Sequence, residues 1–117
     1  MTKTNAYILS STMNEYELLL AELKQASFDF TKEADREDVR AYVPFARKEE
    51  FANIIQPHLS APFNYVDVKH PEENQIYAIF GTKRIIITSK AENDAAKKWA
   101  IDLGLPPAQA EWSHWFE

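Results

Sequence analysis

Stretches of helical spacing alternate along this chain with stretches of strict period-two alternation, and that switching limits the fold more than any other feature. Tyr16, Leu19, Leu20, Leu23 and Ala26 follow i, i+3, i+4, i+7 spacing, which lays one apolar stripe along a helix. Phe28 and Phe30 then alternate with Asp29 and Thr31, and Val39, Ala41, Val43 and Phe45 alternate with Arg40, Tyr42 and Pro44. Side chains two apart share a face of a strand, so both runs predict strands with one buried side. Phe51, Ile54, Ile55 and Leu59 return to helical spacing from about Arg47. Neither an all-helical nor an all-strand fold accommodates this order.

The remaining segments extend the pattern. Ala6-Tyr7-Ile8-Leu9 predicts a first strand. Thr12-Met13-Asn14-Glu15 matches a capping box, so the first helix is expected from about Met13 to Ala26. Pro44 marks its strand as an edge or as ending there, and Pro57 is expected to end or bend the second helix. Phe63 to Lys69 predicts a strand, and His70-Pro71-Glu72-Glu73-Asn74 a turn. Ile76 to Phe80 and Arg84 to Thr88, joined at Gly81-Thr82, predict two strands buried on both faces. Ser89-Lys90-Ala91-Glu92 is a second capping box, followed by Ala95, Ala96, Trp99 and Leu103, with Gly104 at a helix C-cap. Pro106-Pro107 opens a short last helix with Ala108, Trp112, Trp115 and Phe116 on one face. That face is expected to pack on the core, the alternative being an aromatic anchor for a partner.

The expected class is therefore α+β. One domain spans 1–117, with an antiparallel or mixed sheet of about five to six strands and three to four helices. The first six elements follow the ferredoxin-like order, strand–helix–strand–strand–helix–strand.

Chemistry-bearing motifs are scarce. The chain has no cysteine and only two glycines, Gly81 and Gly104, which excludes disulfides, thiolate metal sites and Gly-rich phosphate loops. His58, His70 and His114 fall in no metal-ligand spacing, and no serine-nucleophile motif occurs. Glu49-Glu50 suits the positive end of the second helix, and the basic pairs Lys83-Arg84 and Lys97-Lys98 read as solvated faces. No catalytic residue, metal or cofactor is expected, and the chain is read as a non-enzyme. The start of the chain lacks a signal-peptide pattern and no apolar run approaches transmembrane length, so a cytoplasmic protein without membrane contact is expected. A monomer is favoured.

Charge supplies the functional clue. The net charge is −5. Residues 1–38 hold eight acids and four bases, and so carry four of those five net charges. Direct nucleic-acid binding is disfavoured, because phosphates are met by Lys and Arg. An RNA-recognition sheet is disfavoured as well, since Asp38 to Phe45 lacks the glycines of that motif. The excess concentrates at Asp29, Glu33, Asp35, Glu37 and Asp38; the first four share one parity, so along an extended ribbon alternate positions on their face recur every ~6.4–6.8 Å. That repeat matches the axial rise of every second phosphate on one DNA strand, at ~3.4 Å each. Glu72 and Glu73, with Asp67 nearby, form a second acidic cluster that extends the pattern if the two turns project the same way.

In size, acidic balance, lack of cysteine and mixed α/β make-up, the chain resembles the small bacterial DNA-mimic proteins, in particular the type that binds the histone-like protein HU. The resemblance implies a partner that is a basic DNA-binding protein such as HU. It also implies phosphate-surrogate roles for Asp29, Glu33, Asp35, Glu37, Asp38, Glu72 and Glu73. Two alternatives stand beside it. One is an immunity or inhibitor protein against a nuclease. The other is a ferredoxin-like ligand-binding or enzymatic domain, which needs a concave pocket with convergent polar groups around His58 or Tyr65.

Overall fold

A computed structural model describes residues 4–32 and 37–110. Its strands are β1 (Ala6–Ile8), β2 (Asp29–Lys32), β3 (Val39–Tyr42), β4 (Tyr65–His70), β5 (Gln75–Phe80) and β6 (Arg84–Ile87). Its α-helices are α1 (Tyr16–Gln25), α2 (Lys48–Ile55) and α3 (Lys90–Leu103). The strands form one sheet in the order β2-β3-β1-β4-β5-β6, and every neighbouring pair is antiparallel. The first four strands thus have the split β-α-β arrangement, and the β5–β6 hairpin extends the sheet beyond β4.

Alternation decides which side each residue faces. Ile8, Val39, Ala41, Val66, Val68, Tyr77 and Ile79 point to one face, where they pack with Leu19 and Leu23 of α1 and Phe51 and Ile55 of α2. Ile76, Ala78, Phe80 and Ile87 point to the other face, under Ala96 and Ala100 of α3. Strand β5 is therefore buried on both faces, as its unbroken apolar run predicts. Strand β6 departs from that expectation: it closes the sheet as an edge, and Ile86 is 45 % exposed. Strand β3 lies between β2 and β1, so Pro44 ends it without marking an edge.

The first capping box does not form. Thr12 Oγ1 donates back to the Leu9 carbonyl at 2.7 Å, and Met13 pairs with Leu59 in an isolated bridge. The Ser60 N–H bonds the Thr12 carbonyl, and the Asn14 N–H bonds the His58 carbonyl. This local pairing holds the chain extended past Met13, and Glu15 turns it into α1 from a left-handed conformation, φ 51°. The second box does form, with Ser89 Oγ accepting from the Glu92 N–H at 3.2 Å. The other arm is displaced by one residue, the Glu92 carboxylate accepting from the Thr88 N–H at 2.9 Å instead of from the Ser89 N–H. Pro57 sits in a 3₁₀ turn, Gln56–His58, that continues from α2. Pro107 opens a 3₁₀ turn, Pro107–Gln109. Trp112, His114, Trp115 and Phe116 lie outside the described residues. Arg84 is not a solvated cation: it donates to Gln56 Oε1 at 3.0 Å and Asn53 Oδ1 at 2.8 Å.

Candidate functional site: an acidic end of the sheet

Ile8 pairs with Val39 and Lys32 pairs with Val39, so the β2–β3 turn sits at the end of the sheet where β1 finishes. Helix α1 begins at that same end. The Tyr16 hydroxyl donates to the Glu37 carbonyl at 2.5 Å, pinning the first turn of α1 to the turn between strands. Glu15 and Glu17 flank Tyr16 and are exposed, and the helix N-terminus favours acids there. Sequence spacing separates Glu17 from Glu37 and Asp38, yet the fold brings all three round the Tyr16 phenol.

The Tyr16 phenol registers the resulting field. Its pKa is pushed up to about 12, first by burial and then by the carboxylates of Asp38, Glu37 and Glu17. A negative neighbourhood disfavours a second negative charge.

The individual carboxylates differ. Glu37 is exposed and pairs with Lys32 Nζ at 3.1 Å, a contact both partners keep in water and therefore weak. Asp38 is half-buried and structural. Its Oδ1 accepts from the Ser10 N–H at 2.8 Å and the Ser10 hydroxyl at 3.2 Å, and its Oδ2 accepts from the Tyr7 hydroxyl at 3.3 Å. Asp29 is exposed but lies level with Tyr42 at the far end of β2, ~13 Å from the turn. Glu33 and Asp35 lie outside the described residues.

Glu72 and Glu73 are exposed in a 3₁₀ turn, Pro71–Glu73, between β4 and β5. Ala6 pairs with Val68, so this turn lies at the end of the sheet where β1 begins. The two acidic clusters therefore project from opposite ends, roughly 20 Å apart along the strands, and do not form one continuous ribbon.

His58 and Tyr65, named from sequence as pocket candidates, are engaged in packing. His58 is buried, with Nδ1 2.8 Å from the Asn14 carbonyl oxygen and Nε2 2.5 Å from Glu22 Oε1. Tyr65 is half-buried with its ring 5.5 Å from that of Phe80. A concave surface does exist, but around Tyr42, Phe45 and His70. Among the described residues no cluster of His, Asp and Glu has metal-holding geometry, and no helix is long and apolar enough to cross a membrane.

Glu15, Glu17 and Tyr16 were missed as site residues. The signal available in the sequence was the acid count over residues 1–38, which already included both glutamates. Comparison with protein families, with curated proteins and with solved structures finds no match.

Proposed function

We propose that this chain is a non-enzymatic, cytoplasmic acidic binding protein that occupies the DNA-binding surface of a basic nucleoid protein of the histone-like HU type and competes there with DNA. The observation that carries this reading is the electronegative end of the sheet. Burial first, and then the carboxylates of Asp38, Glu37 and Glu17, push up the Tyr16 phenol, so three acids lie close round one side chain there. On this reading Glu15, Glu17 and Glu37, together with Glu33 and Asp35, act as phosphate surrogates for Lys and Arg of the partner. Asp29 extends the surface along β2. Asp38 sets the shape of the turn and adds its charge to the field. With a net charge of −5 and thirteen bases in the chain, binding is salt-sensitive.

A fluorescence titration of HU preloaded with labelled duplex DNA tests the proposal. At low salt the protein should release the DNA, and added salt should weaken that competition. Absence of displacement at low salt would sink the HU assignment. Reversing Glu33, Asp35 and Glu37 to Lys together should abolish competition while leaving the far-UV spectrum intact; undiminished competition would move the site elsewhere.

A further inference from the structure

Helices α1 and α2 pack on the sheet face of Ile8, Val39 and Val68, and α3 packs on the other face over β5 and β6. Among the described residues no helix packs over β4, β1 and β3 on that second face. Register shows what stands there. Asp67 pairs with Ala78 of β5, and Ala6 pairs with Val68, which brings Tyr7 level with Asp67 on its other side. Tyr7 in turn pairs with Arg40, whose guanidinium carbon is 4.5 Å from the Tyr7 ring centroid. Tyr65 and Lys69 lie two residues either side of Asp67, and Tyr42 two beyond Arg40, so all three share this face. Arg40 and Lys69 offset Asp67 and Asp29, the partner of Tyr42. The face is therefore aromatic and near neutral, unlike the acidic end.

Asp67 is drier than an open face allows. Its side chain is 16 % exposed. Burial raises its carboxyl above the ordinary range, against the pull of Lys69, whose Nζ is 3.8 Å away. Neighbouring strands flank a side chain, but they do not lie over it. A carboxylate loses its water in this way when something covers it.

The last described residues point to the cover. Leu105 and Ala110 are buried with Ile76, Ala78 and Phe80, so after α3 the chain is back on this face at β5. Phe80 and Ala78 pair with Tyr65 and Asp67, which puts the open strands directly beside it. The sequence continues Glu111-Trp112-Ser113-His114-Trp115-Phe116-Glu117. Strand β3 lies three strand spacings from β5, ~14 Å. A stretch as long as 111–117 reaches ~23–25 Å when extended.

We infer that residues 111–117 of this chain occupy the open face, crossing β4, β1 and β3 with Trp112, Trp115 and Phe116 against Tyr65, Tyr7 and Tyr42. Aromatic rings attract one another beyond the area they bury. Glu117 then comes within reach of Arg40, so acid meets base where the crossing finishes. The inference is independent of the HU reading, which concerns one end of the sheet and not this face.

The test is NMR on the full chain carrying fluorine-labelled tryptophan, with each signal assigned by a Trp→Phe variant. The Trp112 and Trp115 signals should resist a soluble paramagnetic agent that broadens free tryptophan. Aromatic NOEs should join those indoles to Tyr7, Tyr42 or Tyr65. Trp115→Ser with Phe116→Ser should expose Tyr7 and Tyr42 to the agent and let the Asp67 carboxyl fall toward its ordinary value. Arg40→Gln, at an exposed position, should reduce the protection of Trp115 while the core signals stay in place. Broadening of Trp112 and Trp115 to the extent of free tryptophan overturns the inference, as do indole NOEs to the face of α1 and α2. Protection that disappears on dilution assigns the cover to a second copy and overturns docking within one chain.

Discussion

Glu22→Gln separates the charge of the His58 contact from its shape. His58 is buried between two acceptors, the Asn14 carbonyl and the Glu22 carboxylate. Only the imidazolium carries a proton on both ring nitrogens, so only that form donates to both. Burial pulls the His58 pKa down, but the Glu22 hydrogen bond, the Asn14 carbonyl and the charges of Glu22 and Glu15 outweigh it, and the net shift is upward. A folded-state pKa above the unfolded value stabilises the fold in the protonated state. The contribution is fully present below the unfolded value of about 6.5 and disappears as pH rises through the higher folded value.

A hydrogen bond to a charged group contributes ~1.5–3 kcal/mol. The Glu22 side chain is 43 % exposed, so water screens the charge and ~1 kcal/mol is the reasonable expectation. Glutamine keeps an acceptor oxygen for Nε2–H and loses only the charge. In urea or thermal unfolding, Glu22→Gln should cost ~1 kcal/mol near pH 5.5, about 4 °C in a chain of this length. The cost should shrink toward zero near pH 9. A loss of equal size at both pH values would refute the imidazolium argument. So would an NMR titration placing His58 at or below the ordinary imidazole value.

Three further outcomes follow from the acidic end. Spectrophotometric titration should show a tyrosine ionisation near pH 12 that Tyr16→Phe removes, separate from the upward-shifted Tyr77. Neutralising Glu17 and Glu37 together should bring that phenol part of the way back, since burial remains its largest cause. Asp38→Asn should lower stability by ~1–2 kcal/mol in urea unfolding through its contacts to Ser10 and Tyr7. On folded protein it should weaken HU competition less than reversal of Glu37.

The fold was legible where one local signal acts alone. Period-two alternation placed β2 and β3, and the unbroken apolar run from Ile76 placed β5. Ser89 capped α3 by accepting from the Glu92 N–H, while the Glu92 carboxylate was drawn to Thr88. At Thr12 and Glu15 the same local signal was overridden. Met13 is buried and pairs with Leu59, and that long-range bridge outweighs a cap of ~1 kcal/mol. The exposure of Ile86 was hidden for a related reason. Apolar content marks a strand as buried only if both its neighbours exist, and β6 has one.

The acidic end was half legible, and topology explains the other half. Strand β3 is antiparallel to both β1 and β2, so β1 and β2 run the same way and α1 must carry the chain back between them. That return starts where β1 ends, and the β2–β3 turn lies at the same end. Acids in the first turn of α1 and acids after β2 therefore converge whatever their separation in sequence. Reading Asp29 to Asp38 as a ribbon found one of the two loops and missed Glu15 and Glu17 across from it. The same register sends Glu72 and Glu73 to the far end. A partner that touches both clusters must consequently be extended, whereas one that binds only the crossover end meets a compact patch built from two loops.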